Sequence, residues 1–191
     1  MTPFTVVGVA GSLRHDSYNR ALLRAAAELA PDDVTFTIFD LDGVPLYDED
    51  HDEYRGGDHM PDAVVALREA ISAADAVVLA CPEYNWGPSG VLKNAIDWAS
   101  RPPAESPLRH KPVALIGCSG GPAGTGRAQL QTRQHLQSLK AYTLPEPDVQ
   151  IGFAKDRFDD DLALVDDDVA QLLRDQLDAL RRWAAALRNH G

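Results

Sequence analysis

No apolar run in this 191-residue chain approaches the ~20 residues that a membrane-spanning helix needs, and its first residues lack the basic-then-apolar order of a secretory leader. Basic residues are also in short supply. Lys and Arg total 18 against 29 Asp and Glu, a formal net charge of -11. Phosphate backbones and anionic lipids repel such a surface, so neither nucleic acid nor membrane is expected as a partner, and the charge reads as solubility. Cysteine is scarce: Cys81 and Cys118 stand alone, in neither Cys-x-x-Cys nor a zinc-like spacing, and each reads as a small buried hydrophobe. None of the six histidines forms a His-x-x-x-His pair, so a zinc hydrolase has no support and no metal site is expected. A cytoplasmic protein is the expectation that remains.

What is present points to one α/β domain over residues 1–191, long enough to bury a full core. Phe4 to Ala10 reads as a buried strand, apolar on both faces as in a covered parallel sheet. Leu22, Leu23, Ala26, Leu29 and Ala30 recur at helical spacing until Pro31, and Val34 to Phe39 forms the second strand. A long polar connection, Asp40 to Met60, leads to a helix opened by Pro61, with Val64, Val65, Leu67 and Ile71 as its core face. Ala76 to Ala80 is the third strand, followed by a loop and a helix from Val91 to Ala99. Pro112 to Cys118 is the fourth, followed by a helix from about Arg127 to Lys140. A weak fifth strand lies within Tyr142 to Phe153, interrupted by Pro145 and Pro147, and a last helix carries Val169, Leu173, Leu177, Leu180, Ala184 and Leu187 on one face. The alternation predicts a five-stranded parallel sheet with helices on both faces, a flavodoxin-like three-layer sandwich of order 2-1-3-4-5.

Three loops then fall at carboxyl ends of adjacent strands, where open α/β sheets bind ligands. The first, Gly11 to Arg20, precedes a helix amino terminus, whose free N–H groups and dipole suit an anion. Ser12, Ser17 and Asn19 add neutral donors, and Arg14 adds a fork suited to phosphate. It is neither a Walker loop nor Gly-x-Gly-x-x-Gly, and the same residues also read as a helix cap beside a surface arginine. The second, Pro82 to Gly90, carries an aromatic, an amide and a carboxylate, a set suited to a planar hydrogen-bonding ligand; Tyr84 and Trp86 equally suit apolar packing. The third, Ser119 to Gly126, is rich in glycine, which lets backbone approach a flat ligand or simply makes a connector.

The series Pro82-Glu83-Tyr84-Asn85 through Leu92-Lys93-Asn94-Ala95-Ile96-Asp97-Trp98, with Gly11-Ser12-Leu13-Arg14 and Ser17-x-Asn19-Arg20, closely resembles the signature of the NAD(P)H-dependent FMN reductases. These are flavodoxin-like quinone, azo and chromate reductases. The resemblance implies FMN as cofactor and NADPH or NADH as electron donor. It places Ser12, Arg14, Ser17 and Asn19 at the FMN phosphate. Pro82, Glu83, Tyr84, Asn85, Trp86 and Gly87 would lie along the ring and ribityl chain, with Glu83 orienting, and Ser119, Gly120 and Gly121 near the pyrimidine end. Where relatives have Pro-Gly or Pro-Ala before the helix, Pro88-Ser89-Gly90 sets proline one position early. The implied reaction is a two-electron ping-pong reduction of a small acceptor: a quinone, an azo compound, free flavin or an oxidised metal. FMN carries that chemistry, so no catalytic side chain is assigned. A homodimer, or a tetramer built from it, is expected, with the helix Val91 to Ala99 near the interface and Trp98 as its anchor.

Two other functions fit parts of the chain. A non-enzymatic flavin protein, an electron shuttle or a sensor, would keep the FMN loops without a nicotinamide site. Gly117-Cys118-Ser119-Gly120-Gly121 also satisfies Gly-x-Ser-x-Gly, with Asp148 and His190 following in triad order, the pattern of a serine esterase using Ser119. The acidic runs Asp48 to Glu53, Asp159 to Asp161 and Asp166 to Asp168 read as solvated or helix-capping carboxylates.

Overall fold

The structure is a computed structural model that describes residues 3–52 and 59–188. Its main strands are β1 (Phe4–Ala10), β2 (Val34–Phe39), β3 (Ala76–Ala80), a short hairpin of β4 (Glu83–Tyr84) and β5 (Gly87–Pro88), then β6 (Pro112–Cys118), β7 (Tyr142–Thr143) and β8 (Val149–Ile151). The helices are α1 (Tyr18–Glu28), α2 (Asp62–Ala73), α3 (Gly90–Ala99), α4 (Gly126–Ser138) and α5 (Asp167–Arg188). The parallel sheet runs β2-β1-β3-β6, with β7 and β8 sharing the far edge. Setting aside the hairpin, this is the expected 2-1-3-4-5 order.

Alternation of side chains along each strand divides the core in two. Val6, Ala10, Val78, Ala114 and Ile116 pack with Leu22 and Leu23 of α1 and Leu173, Leu177 and Leu180 of α5. Val7, Val9, Val77, Leu79 and Leu115 pack with Leu67 and Ile71 of α2, Leu92 and Ile96 of α3 and Leu136 of α4. Burying each such aliphatic side chain stabilises by roughly 1.5–3 kcal/mol, so the strands' continuous apolar runs are what demand helices on both faces. Val65 does not join its neighbours; 36% of it is exposed, because only Val64, Leu67 and Ile71 hold the inward spacing on α2.

The fifth strand is divided by the prolines. Tyr142 and Thr143 pair with Pro112 and Val113 at the start of β6, and Val149 to Ile151 pair with Ile116 to Cys118 at its end. Proline has no N–H to give the ladder, which confines it to such an edge. The carbonyl of Leu115, in the gap, is instead satisfied by the buried side chain of Gln176: its Nε2 donates to Leu115 O at 3.0 Å and Pro147 O at 2.9 Å.

The connection after β2 is more structured than its polarity suggests. Leu41 is buried, Pro45 O accepts from Trp98 Nε1 at 2.9 Å, and Tyr47 stacks edge-on against Trp98 at 4.8 Å. Trp98 is therefore fully buried inside its own chain, and the expectation that it anchors an interface is corrected. The apolar surface of α3 that exceeds one stripe is covered by this segment. Asp52, expected in a solvated run, is fully buried and accepts from Tyr47 Oη at 3.1 Å; Glu53 of that run lies outside the described residues. Asp166 caps α5, its carboxylate accepting from Val169 N at 3.0 Å, and that bond with the Arg157 pair holds its carboxyl below the usual range.

Candidate functional site

All three loops lie on the carboxyl edge of β1, β3 and β6, and motif side chains lock them to one another. The first loop meets the second at Gly11. Its N–H donates to Ala80 O at 2.9 Å and its carbonyl accepts from Ser89 Oγ at 2.6 Å. A Cβ at this position would stand 2.7 Å from Leu92 Cβ and 2.9 Å from Pro82 Cδ, so only glycine allows the approach. Ser89 also caps α3, accepting from Leu92 N at 3.1 Å. That double role explains the displaced proline: Pro88 ends the hairpin and Ser89, not proline, starts the helix.

Asn19 joins the first loop to the third. Its Nδ2 donates to Cys118 O at 2.9 Å and its Oδ1 accepts from Cys118 N at 3.0 Å, both in buried surroundings. Ser17 caps α1, accepting from Arg20 N at 3.4 Å. Ser12 is buried and accepts from Arg14 N at 3.4 Å, while Leu13, Arg14, His15 and Asp16 are exposed. Arg14 Nη2 reaches Asp16 O at 3.1 Å. No acidic residue stands in the first turn of α1, so its amino-terminal N–H groups meet no carboxylate of their own.

Glu83 joins the second loop to the third. Its Oε2 accepts from the N–H groups of Arg127 and Ala128, each at 3.1 Å, and its Oε1 accepts from Arg127 Nε at 2.6 Å. It thus caps α4, where Thr125 forms no side-chain cap. The carboxylate is engaged within the protein and orients backbone rather than facing solvent. Beyond it, Asn85 (φ 50°) and Trp86 (φ 69°) form the two turn residues of the β4–β5 hairpin. A left-handed pair is what a tight hairpin needs, and Asn tolerates it, but Trp gives up about 1–2 kcal/mol there. Gln131 Nε2 holds Trp86 O at 2.8 Å, and the Arg127 guanidinium lies 4.9 Å from the indole ring. Tyr84 and Trp86 are 52% and 69% exposed, so neither serves the core. Pro82 is buried and Gly87 pairs across the hairpin with Tyr84.

The third loop is stitched to the end of β8: Ser119 N donates to Ile151 O at 2.9 Å, Ala154 N to Ser119 O at 2.9 Å, and Phe153 N to Gly121 O at 3.2 Å. Gly120 and Gly121 face open space. Phe153 is left-handed (φ 52°) and 48% exposed. Arg127, Gln131, Ser89 and Phe153 escaped the sequence reading. Ser89 alone had a signal, a serine directly before an apolar helix.

The esterase geometry is not built. A nucleophile elbow turns from strand into helix at the serine, whereas α4 begins only at Gly126. Asp148 pairs with Arg133 at 3.0 Å, and His190 lies outside the described residues. The two thiols sit on opposite faces of the sheet, Cys81 toward α2–α4 and Cys118 toward α1 and α5. Burial pushes Cys81 up to about 11, against a hydrogen-bond contact with Thr132, and Cys118 up to about 12.

Comparison with known proteins identifies the family. The family model described as NADPH-dependent FMN reductase matches residues 4–156. An NAD(P)H-dependent FMN reductase of Pseudomonas aeruginosa is 48% identical over 183 residues, covering 96% of both chains. A 2-hydroxy-1,4-benzoquinone reductase of a Burkholderia species is 38% identical over 175 residues, 92% of this chain and 93% of that one. Among solved structures, the flavoenzyme NAD(P)H:(acceptor) oxidoreductase of Paracoccus denitrificans superposes with a TM-score of 0.84 at 31% identity, covering 96% and 98% of the two chains.

Proposed function

This chain belongs to the NADPH-dependent FMN reductase family, and from that premise we propose that it passes two electrons from NAD(P)H to a quinone at the edge built by the three loops. The observation that carries the siting is the convergence itself: an anion-ready helix terminus, an exposed aromatic hairpin and an open diglycine meet on one rim. FMN, when bound, supplies the hydride acceptance and the electron transfer.

The chain's own residues position and select. Arg14, Ser12 and the first-turn N–H groups of α1 hold the phosphate. Ser17 and Asn19 fix that turn from behind, since their side chains are committed to Arg20 N and to Cys118. Pro82, Tyr84, Asn85, Trp86 and Gly87 line one side of the ring, with Glu83 setting their backbone through α4. Ser119, Gly120 and Gly121 lie at the pyrimidine end, where no Cβ obstructs an approach at either glycine. Donor and acceptor take the same open face in turn.

Anaerobic NADPH or NADH should bleach the flavin band of the purified protein, and initial rates with a quinone should give parallel lines. A flavin that stays oxidised overturns the reading; intersecting lines with a stable ternary complex overturn the cycle.

We place the enzyme in the cytoplasm, as one domain over residues 1–191, because reduced nicotinamide is supplied there and the elements from Phe4 to Arg188 form or pack on one sheet. Among the described residues no helix is long and apolar enough to cross a membrane. We also propose a homodimer, or a tetramer built from it. Leu46, Trp86 and Leu130 are 83%, 69% and 61% exposed, apolar surface that a single copy leaves in water. Sedimentation at assay concentration should give an assembled species; a fully active monomer refutes this.

A further inference from the structure

Where the first loop ends at Arg20, the rim holds a cleft of about 140 Å3 between α1 and β2, lined by none of the side chains assigned to the flavin. Leu23, Ile38 and Phe39 give it apolar lining; Arg20, Arg24 and Asp40 give it a charged mouth. Ile38 is 45% exposed, an apolar side chain left available there. Arg20 clamps Asp40 through two bonds, Nη2 to Oδ2 at 2.6 Å and Nη1 to Oδ1 at 3.3 Å, and Asp42 N adds a third at 3.1 Å. Arg24 follows Arg20 by one helical turn on the same wall. It is exposed and forms no ion pair among the described residues. Two guanidiniums against one carboxylate leave the mouth with one net positive charge, on a chain whose net charge is -11.

Asp40 directly follows β2, at the carboxyl edge. In dinucleotide-binding sheets, a carboxylate there reads the ribose 2′-hydroxyl of NAD, and an arginine accommodates the 2′-phosphate of NADP. Here the carboxylate is already neutralised by Arg20 and the second arginine is uncommitted. We propose that this cleft receives the adenosine end of the electron donor and that Arg24 binds its 2′-phosphate, so that NADPH is preferred to NADH. The proposal rests on the reductase reading above.

Size and position agree. A cavity of about 150 Å3 holds a single benzene, so this cleft takes in the adenine ring only, with the ribose and its 2′-phosphate at the open mouth beside Arg24. β2 lies two strands from β3 and three from β6. At ~4.8 Å per strand the cleft stands roughly 10–14 Å from the loops assigned to the flavin ring. A dinucleotide lying along the rim covers that span, with its nicotinamide at the ring and its adenine in the cleft.

The test compares NADPH and NADH kinetics of the FMN-loaded wild type, Arg24→Ala and Arg24→Glu. Because Arg24 is exposed, both variants should fold, which circular dichroism checks. Loss of one charge-assisted phosphate contact should raise KM for NADPH about tenfold or more in Arg24→Ala, while KM for NADH changes by less than about twofold. Arg24→Glu should raise it further, and adenosine 2′,5′-bisphosphate should compete with NADPH better than 5′-AMP does. Equal shifts for both donors, no shift, or a wild type that prefers NADH overturns the proposal while turnover itself persists. A wild type that oxidises neither donor overturns the reductase reading instead. The adenosine of FAD has the same ring chemistry, so FMN and FAD affinities are measured alongside. Weakened FAD binding with both KM values unmoved would assign the cleft to a flavin dinucleotide and overturn the donor assignment.

Discussion

Asn19→Ala should lower the unfolding midpoint by on the order of 10 °C and strip FMN from the protein. One amide side chain satisfies both the N–H and the carbonyl of Cys118, at 3.0 and 2.9 Å, in buried surroundings. Alanine leaves both unpartnered, at about 1–3 kcal/mol each, and a chain of this length loses about 2–4 °C per kcal/mol. The same change unties the first loop from the third, so cofactor affinity should fall with stability. Thermal denaturation with and without FMN checks both. A variant that keeps its midpoint and its flavin would show that the bridge does not hold the rim together.

Arg14→Ala should weaken FMN by roughly 10- to 100-fold while riboflavin loses less than about twofold, since only FMN carries the phosphate that a charge-assisted bond reads. Arg14 is exposed, and its Nη2 contact with Asp16 O is local to the loop, so the fold should be unchanged. Fluorescence titration with both ligands separates the outcomes. Equal losses for the two would remove Arg14 from the phosphate site and leave it a loop residue.

The sheet order was legible because each central strand is apolar on both faces and α1 and α5 keep a clean inward spacing. Even the broken fifth strand announced itself through Pro145 and Pro147. What was hidden is what depends on pairs distant in sequence. Glu83 and Arg127 are 44 residues apart, and Asn19 and Cys118 are 99 apart. No local pattern tells that a motif carboxylate will cap another helix, or that a motif amide will bridge a strand end. Trp98 failed for a related reason: its apolar neighbours suggested an open face, but the cover comes from Pro45 and Tyr47, in a stretch too polar to read as packing. The loop positions were therefore readable, and the division of labour within them was not.

The placement of the two cysteines has a chemical consequence. Quinones are electrophiles as well as electron acceptors, and they arylate accessible thiolates. An enzyme that repeatedly concentrates quinone at its own rim risks covalent self-modification. Here Cys81 and Cys118 are each 2% exposed or less, and burial keeps both thiols protonated at neutral pH, with values of about 11 and 12. Nucleophilic attack requires the thiolate, and neither side chain offers one to solvent. With the proposed quinone acceptor, the folded chain presents this thiol-reactive compound no target, and that immunity lasts only as long as the sheet's two faces stay covered.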